Sequence, residues 1–112
     1  MEYDPLSNVE DAPLFIVPRV LDGLRAYRQQ PRLQQLPGAD TRIDALTDRL
    51  LAGVVSHPTR FWVMRQVQQT LEAVAGEGTE ARRHIRMELE ELMDILGIDV
   101  ADGMLSYYLD AS

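Results

Sequence analysis

The chain contains no cysteine, no lysine, and no apolar run that approaches the roughly 20 residues a membrane-spanning helix needs. The first absence removes disulfides, thiolate nucleophiles and cysteine-ligated zinc together. A chain of 112 residues must then be held by its core, and that length suffices for a single domain. The absence of lysine makes all eleven bases arginine, whose planar guanidinium favours bidentate pairing with carboxylates. The opening residues, MEYDPLSNVEDAP, carry acids where a secretory leader carries bases, and they lack its apolar stretch. The expected setting is therefore the cytoplasm, with no membrane partner.

Both ends also lack bases. Residues 1–18 hold four acids and no base, and residues 87–112 hold seven acids and no base. All eleven arginines lie between them, in residues 19–86, where seven acids leave a net charge of +4. The whole chain carries −7, with 46% hydrophobic and 26% charged residues, a composition that supports a packed core and argues against disorder.

No stretch alternates apolar and polar residues with the period of a strand, whereas apolar residues recur at intervals of three and four along most of the chain. The expected architecture is all-α: a small bundle of four main helices, a short C-terminal helix and an extended N-terminal arm. It forms one domain over 1–112, with the arm at 1–18 and the helical core at 19–109. Pro13 and Pro18 bracket the run Leu14-Phe15-Ile16-Val17 and discourage helix there.

A first helix follows Pro18, presents Val20, Leu21, Leu24 and Tyr27, and ends before Pro31. Residues 29–39 read as a connector. Asp40 or Thr41 then caps a second helix with the face Ile43, Leu46, Leu50, Leu51 and Val54. A third starts at Pro58 or Thr59 and presents Phe61, Met64, Val67, Leu71 and Val74. The fourth runs from Thr79, as cap, to Leu96, with the stripe Ile85, Leu89, Leu92, Met93 and Leu96. Gly97 and Ile98 predict a Schellman ending. A last short helix starts at Asp99 or Asp102 and uses Leu105, Tyr108 and Leu109.

The fourth helix places its charges against its own dipole. Arg82, Arg83 and Arg86 stand near its start, while Glu88, Glu90, Glu91 and Asp94 crowd its C-terminal half. The dipole favours the opposite order by about 0.3–1 kcal/mol per well-placed charge. Compensation is expected from outside the helix, through pairing of Glu90, Glu91 and Asp94 with the first-helix arginines.

Three segments carry the remaining specificity: His57-Pro58-Thr59 and Thr79-Glu80-Ala81-Arg82, each opening a helix, and Met93-Asp94-Ile95-Leu96-Gly97-Ile98 followed by Asp102-Gly103-Met104-Leu105. Over roughly residues 55–109 the chain resembles domain-of-unknown-function family 4844, a group of small, mostly bacterial proteins. The resemblance implies a helical fold and brings no activity, substrate or catalytic residue with it.

Several constellations invite chemistry. His84, Glu88 and Glu91 fall at i, i+4 and i+7, and one imidazole with two carboxylates is a ligand set for a divalent metal. Carboxylate-bridged di-metal bundles draw such groups from several helices, with paired Glu-x-x-His elements that this chain lacks. The bland reading is a solvated flank beside the core stripe. Ser56-His57 resembles a nucleophile and base, but sequence neighbours are poorly placed for proton transfer and no glycine-rich elbow surrounds the serine. It reads as a turn. Arg19, Arg25, Arg28 and Arg32 form a basic strip, yet the acidic ends and the lack of a recognisable motif argue against nucleic acid.

No catalytic residue and no cofactor is assigned. Candidate partner-binding residues are Glu88, Glu90, Glu91 and Asp94, which would meet a basic protein, and Trp62, which stands beside the apolar face of its helix. The functional expectation is a non-enzymatic interaction module, for instance immunity- or antitoxin-like. Alternatives are a metal-binding or enzymatic protein using His84, Glu88 and Glu91, and a homo-oligomer whose acidic and basic surfaces pair.

Overall fold

The computed structural model describes residues 13–14, 18–30, 37–98 and 104–109. Within them lie five helices: α1 (Pro18–Gln29), α2 (Pro37–Gly53), α3 (Arg60–Val74), α4 (Thr79–Leu96) and α5 (Met104–Leu109). The fold is all-α, and the described residues contain no strand beyond an isolated bridge between Pro13 and Thr59. Expectations for the rest of the N-terminal arm, for Arg32 and most of the first connector, and for a start of the last helix at Asp99 or Asp102 fall outside the described residues.

Helix α2 lies at the centre and packs against α1, α3 and α4, while α5 closes the far side against α3 and α4. The core follows the expected stripes. Leu24 of α1, Ile43, Leu46 and Leu50 of α2, Val67 and Leu71 of α3, and Ile85, Leu89 and Leu92 of α4 are fully buried. Burial of one such side chain contributes about 1.5–3 kcal/mol. α5 adds Leu105 and Leu109, and is tied down by Gln68 Nε2 donating to Tyr108 Oη at 3.2 Å and Arg82 donating to the Leu109 carbonyl at 3.5 Å. Leu14 donates its amide to the Pro58 carbonyl at 2.7 Å and packs on the core, so the described end of the arm lies over the α2–α3 turn.

Helix ends show where local signals held and where they gave way. Thr59 caps α3 by accepting from the Trp62 amide at 3.2 Å. Gly97 adopts φ 73°, and its amide and that of Ile98 bond back to Asp94 and Met93 in a Schellman ending. Ile98 is buried there, as expected. Thr79, by contrast, is the first residue of α4 and not its cap. Gly78 takes the cap position with no side-chain bond, and its carbonyl accepts the first helical bond, from Arg82. Helix α2 starts at Pro37, so Asp40 and Thr41 stand inside its first turns and do not cap it. A proline at the first helical position gives up an amide that would be unsatisfied there anyway, so the helix begins earlier than the polar residues suggest.

The aromatic pair of α3 also differs from expectation. Val63 and Met64 are buried, and Trp62 packs against the core, whereas Phe61 is only half-buried and outside it. Trp62 stacks on His57, with ring centroids 5.4 Å apart and an 18° interplanar angle, and its indole lies over Gly53 at the end of α2. A β-carbon at Gly53 would stand 2.5 Å from the indole, closer than van der Waals contact permits. Gly53→Ala is therefore expected to destabilise by about 1–3 kcal/mol through overpacking. Gly38→Ala, where a β-carbon meets nothing within 4 Å, should be neutral or stabilising by about 0.5–1 kcal/mol. Urea unfolding of both variants checks the contrast, and equal midpoints would contradict it.

Candidate functional site

The face of α4 turned toward α1 and α2 carries more than its apolar stripe. His84 and Glu88, one turn apart, are 3% and 7% exposed. The expectation of a solvated flank fails for both, while Glu91 is exposed. Burying such groups is costly unless each is hydrogen-bonded, and each finds a partner on a different helix. The Tyr27 hydroxyl of α1 donates to Glu88 Oε2. His84 Nε2 stands 2.7 Å from Asp40 Oδ1 of α2. An ionised carboxylate only accepts, so the ring proton is placed on Nε2. In the neutral ring Nδ1 is then an acceptor, and it is buried with no partner among the described residues.

A third polar contact joins the remaining pair of helices. Arg28, next to Tyr27 on α1, donates from Nε to Asp48 at 2.9 Å and lies 3.6 Å from Asp44. The hydrogen bond to Asp48, then the field of Asp44, raises the guanidinium pKa above its ordinary value. Asp40, Asp44 and Asp48 repeat every four residues on α2, so one stripe of aspartates receives both His84 and Arg28. α4 is thereby linked to α1 and to α2, and α1 to α2.

Beside His84 opens a cavity of ≈ 440 Å³ lined by Thr79, Glu80, Arg83, His84 and Met87. It offers a hydroxyl, an acid, a base and a thioether around an imidazole held by a carboxylate. Such an arrangement orients a ring nitrogen to accept a proton or a donor group. Three metal ligands do not converge here: Glu88 turns to Tyr27, Glu91 is exposed, and among the described residues no group of three or more His, Asp or Glu is placed to hold a metal. The Ser56-His57 pair lies in the α2–α3 turn, with the imidazole stacked on Trp62.

The chain matches, over residues 22–112, the family described as a domain of unknown function, DUF4844. It belongs to that family. The match begins within α1, well before the segments at 55–109 that first carried the resemblance, so it includes Tyr27 and Asp40 as well as His84 and Glu88. No curated protein and no solved structure matches the chain.

The opposite face of α4 is exposed. Met87 is 54% exposed, and Glu90, Glu91 and Asp94 follow it at three, four and seven residues on one ridge. Among the described residues, the expected pairing of these acids with first-helix arginines does not occur. Arg25 pairs with Asp22 and Arg28 with α2, while Glu90 lies 3.9 Å from Arg86 of its own helix. Glu91 and Asp94 pair with none of the described residues. Of the residues expected to meet a partner, Glu90, Glu91 and Asp94 are thus exposed together, Glu88 is buried behind them, and half-buried Trp62 sits on another helix. Spacing and composition read Tyr27 as a core residue of the first helix and Asp40 as a cap, and gave neither of them, nor Met87, a place in a site. The four-residue spacing of Asp40, Asp44 and Asp48 was the available signal for the α2 stripe.

The buried contacts predict a sharp difference between two polar pairs. Tyr27→Phe removes a donor from a buried carboxylate and should cost about 1.5–3 kcal/mol. Arg25→Gln removes an exposed pair whose side chains are 63% and 75% accessible, and should cost less than about 1 kcal/mol. Denaturant unfolding at neutral pH measures both. A silent Y27F would refute the structural role given to this hydrogen bond.

Proposed function

We propose that the protein is a non-enzymatic interaction module that presents the outer ridge of α4 to a basic protein partner. The observation that carries this reading is the contrast among its carboxylates. Asp22, Asp40, Asp44, Asp48, Glu88 and Glu90 each meet a donor or cation, whereas Glu91 and Asp94 stand exposed and together on a ridge with Met87; Glu72 and Glu77, exposed and likewise unpaired among the described residues, lie outside α4. Unpaired charge of one sign speeds encounter with a complementary surface and excludes wrong partners. Met87 supplies apolar contact, and the cavity it lines can receive an anchoring side chain at the N-terminal end of the ridge. One concrete form of this reading is an immunity- or antitoxin-like protein covering the basic surface of a toxin.

The test compares affinity captures from native lysate with wild type and with a Glu90→Gln, Glu91→Gln, Asp94→Asn variant, which leaves buried Glu88 intact. A partner retained by wild type, released by salt and lost from the variant is the expected result. Identical sets of captured proteins would sink the acidic-ridge reading.

One observation favours a second reading, a metal-binding or enzymatic role centred on His84. Its Nδ1 is buried without a partner beside the cavity while Asp40 holds Nε2. A carboxylate on one ring nitrogen is the usual way to orient a histidine that works through the other. That role predicts a rise in melting temperature with manganese or zinc that His84→Gln abolishes. An unchanged melting curve with both ions removes the metal version.

A further inference from the structure

On the other side of α2, a second concavity carries chemistry of the opposite sign. A groove of ≈ 210 Å³ between α2 and α3 is lined by Arg42, Ala45, Arg49, Gln69, Thr70 and Ala73. No acid lines it, although the protein as a whole carries −7. Arg42 and Arg49 are seven residues apart, close to two helical turns, so both project from one face of α2 with Ala45 between them. Small side chains at 45 and 73 keep the floor open.

The two arginines differ in how they are held. Arg49 is half-buried and fixed by neutral acceptors alone: Nε donates to Gln66 Oε1, and Nη2 to the Gln66 carbonyl and to Thr70 Oγ1, each at 3.2 Å. No carboxylate meets it among the described residues, and its Nη1 makes no hydrogen bond there. This is unlike Arg28, which two aspartates neutralise. Arg42 is exposed and has no partner among the described residues. Thr70 is 4% exposed; its oxygen accepts from Arg49, and its own hydroxyl proton meets no acceptor among the described residues.

A guanidinium positioned by neutral groups, with its charge uncompensated, is preorganised for an anion. With Arg42 as a second, unpaired cation, a buried hydroxyl with an unspent proton and the Gln69 amide, the groove offers donors from several directions, which suits a compact oxyanion of multiple charge. Guanidinium binds phosphate oxygens through paired, charge-assisted hydrogen bonds. We propose that the α2–α3 groove is a binding site for a phosphate group, carried either by free phosphate or by a small phosphate monoester. The proposal does not depend on the role of the α4 ridge, because the two surfaces share no residue.

Equilibrium binding by calorimetry or by amide chemical shifts, with inorganic phosphate, pyrophosphate and glycerol phosphate in turn, tests it against chloride at matched ionic strength. The expected result is saturable binding of phosphate compounds that chloride does not reproduce. Arg42→Gln, at an exposed side chain with no hydrogen bond or ion pair to a described residue, should leave the fold intact and weaken binding about tenfold or more, the value of a charged hydrogen bond. Tighter binding of the monoester would identify an ester as the source, and equal or tighter binding of inorganic phosphate would identify the free ion. Binding unchanged in R42Q, or matched by chloride, overturns the proposal. So does binding of an acidic peptide with none of phosphate, since the groove would then be a protein-docking face. The Glu90/Glu91/Asp94 variant should bind phosphate as wild type does, which separates failure here from failure of the ridge.

Discussion

The arrangement of the helices rests on two titratable side chains that α4 carries into the interior. A helix packed only through Ile85, Leu89 and Leu92 could rotate or slide against its neighbours at modest cost, because apolar contact is non-directional. Placing His84 and Glu88 beside that stripe changes the problem. Each now requires a particular partner at hydrogen-bond distance, and removing one partner of a buried polar pair is far more damaging than never having buried it. Tyr27 fixes α1 against α4, Asp40 fixes α2 against α4, and Arg28 with Asp44 and Asp48 fixes α1 against α2. Three helices joined pairwise in this way have one register that satisfies every contact. The net stability gained is modest; the specificity is large.

The same contacts resolve the unfavourable charge order of α4. Its acids and bases are not arranged for its own dipole but for its surroundings. Arg82 reaches the carbonyl of Leu109 at the C-terminal end of α5, His84 and Glu88 face inward, and Arg86 and Glu90 lie on the flank as an i, i+4 pair. The dipole penalty of about 0.3–1 kcal/mol per charge is small beside the cost of leaving any buried member unpaired. Tertiary need therefore outweighs local preference.

Much of this architecture was legible in residue spacing and in punctuation by proline and glycine. Pro18 opened α1, Gly97 with Ile98 closed α4, and the apolar stripes of the four main helices identified most of the core. Two kinds of error have physical causes. Cap residues were over-read: Asp40 and Thr79 favour caps in isolation, but Asp40 was needed one turn into α2 to meet His84, and Thr79 lines the cavity. Polarity was over-read as exposure: periodicity places His84 and Glu88 next to the stripe but is silent about a tyrosine and an aspartate on other helices that let them be buried. Pairings between residues 44 and 61 positions apart leave no local trace. For the same reason the sequence divides charge into a basic middle and acidic ends, yet does not say which charges the fold consumes.

That distinction is what the structure adds to function. Charges used internally specify the fold and are unavailable for recognition, so the informative ones are those left over. On the C-terminal half of α4 the remainder is acidic, Glu91 and Asp94, with Arg83 left over near the helix start; in the α2–α3 groove it is basic, Arg42 and Arg49. Asp94 stands in the last turn of α4, where carbonyl groups already concentrate negative potential and no base of the helix offsets it. A cation brought to that end would relieve the carboxylate and the dipole together. A surface positive enough to do so gains more from this ridge than from an equal number of acids elsewhere. The feature that looks least favourable within the isolated helix is thus the one that a basic partner would find most favourable.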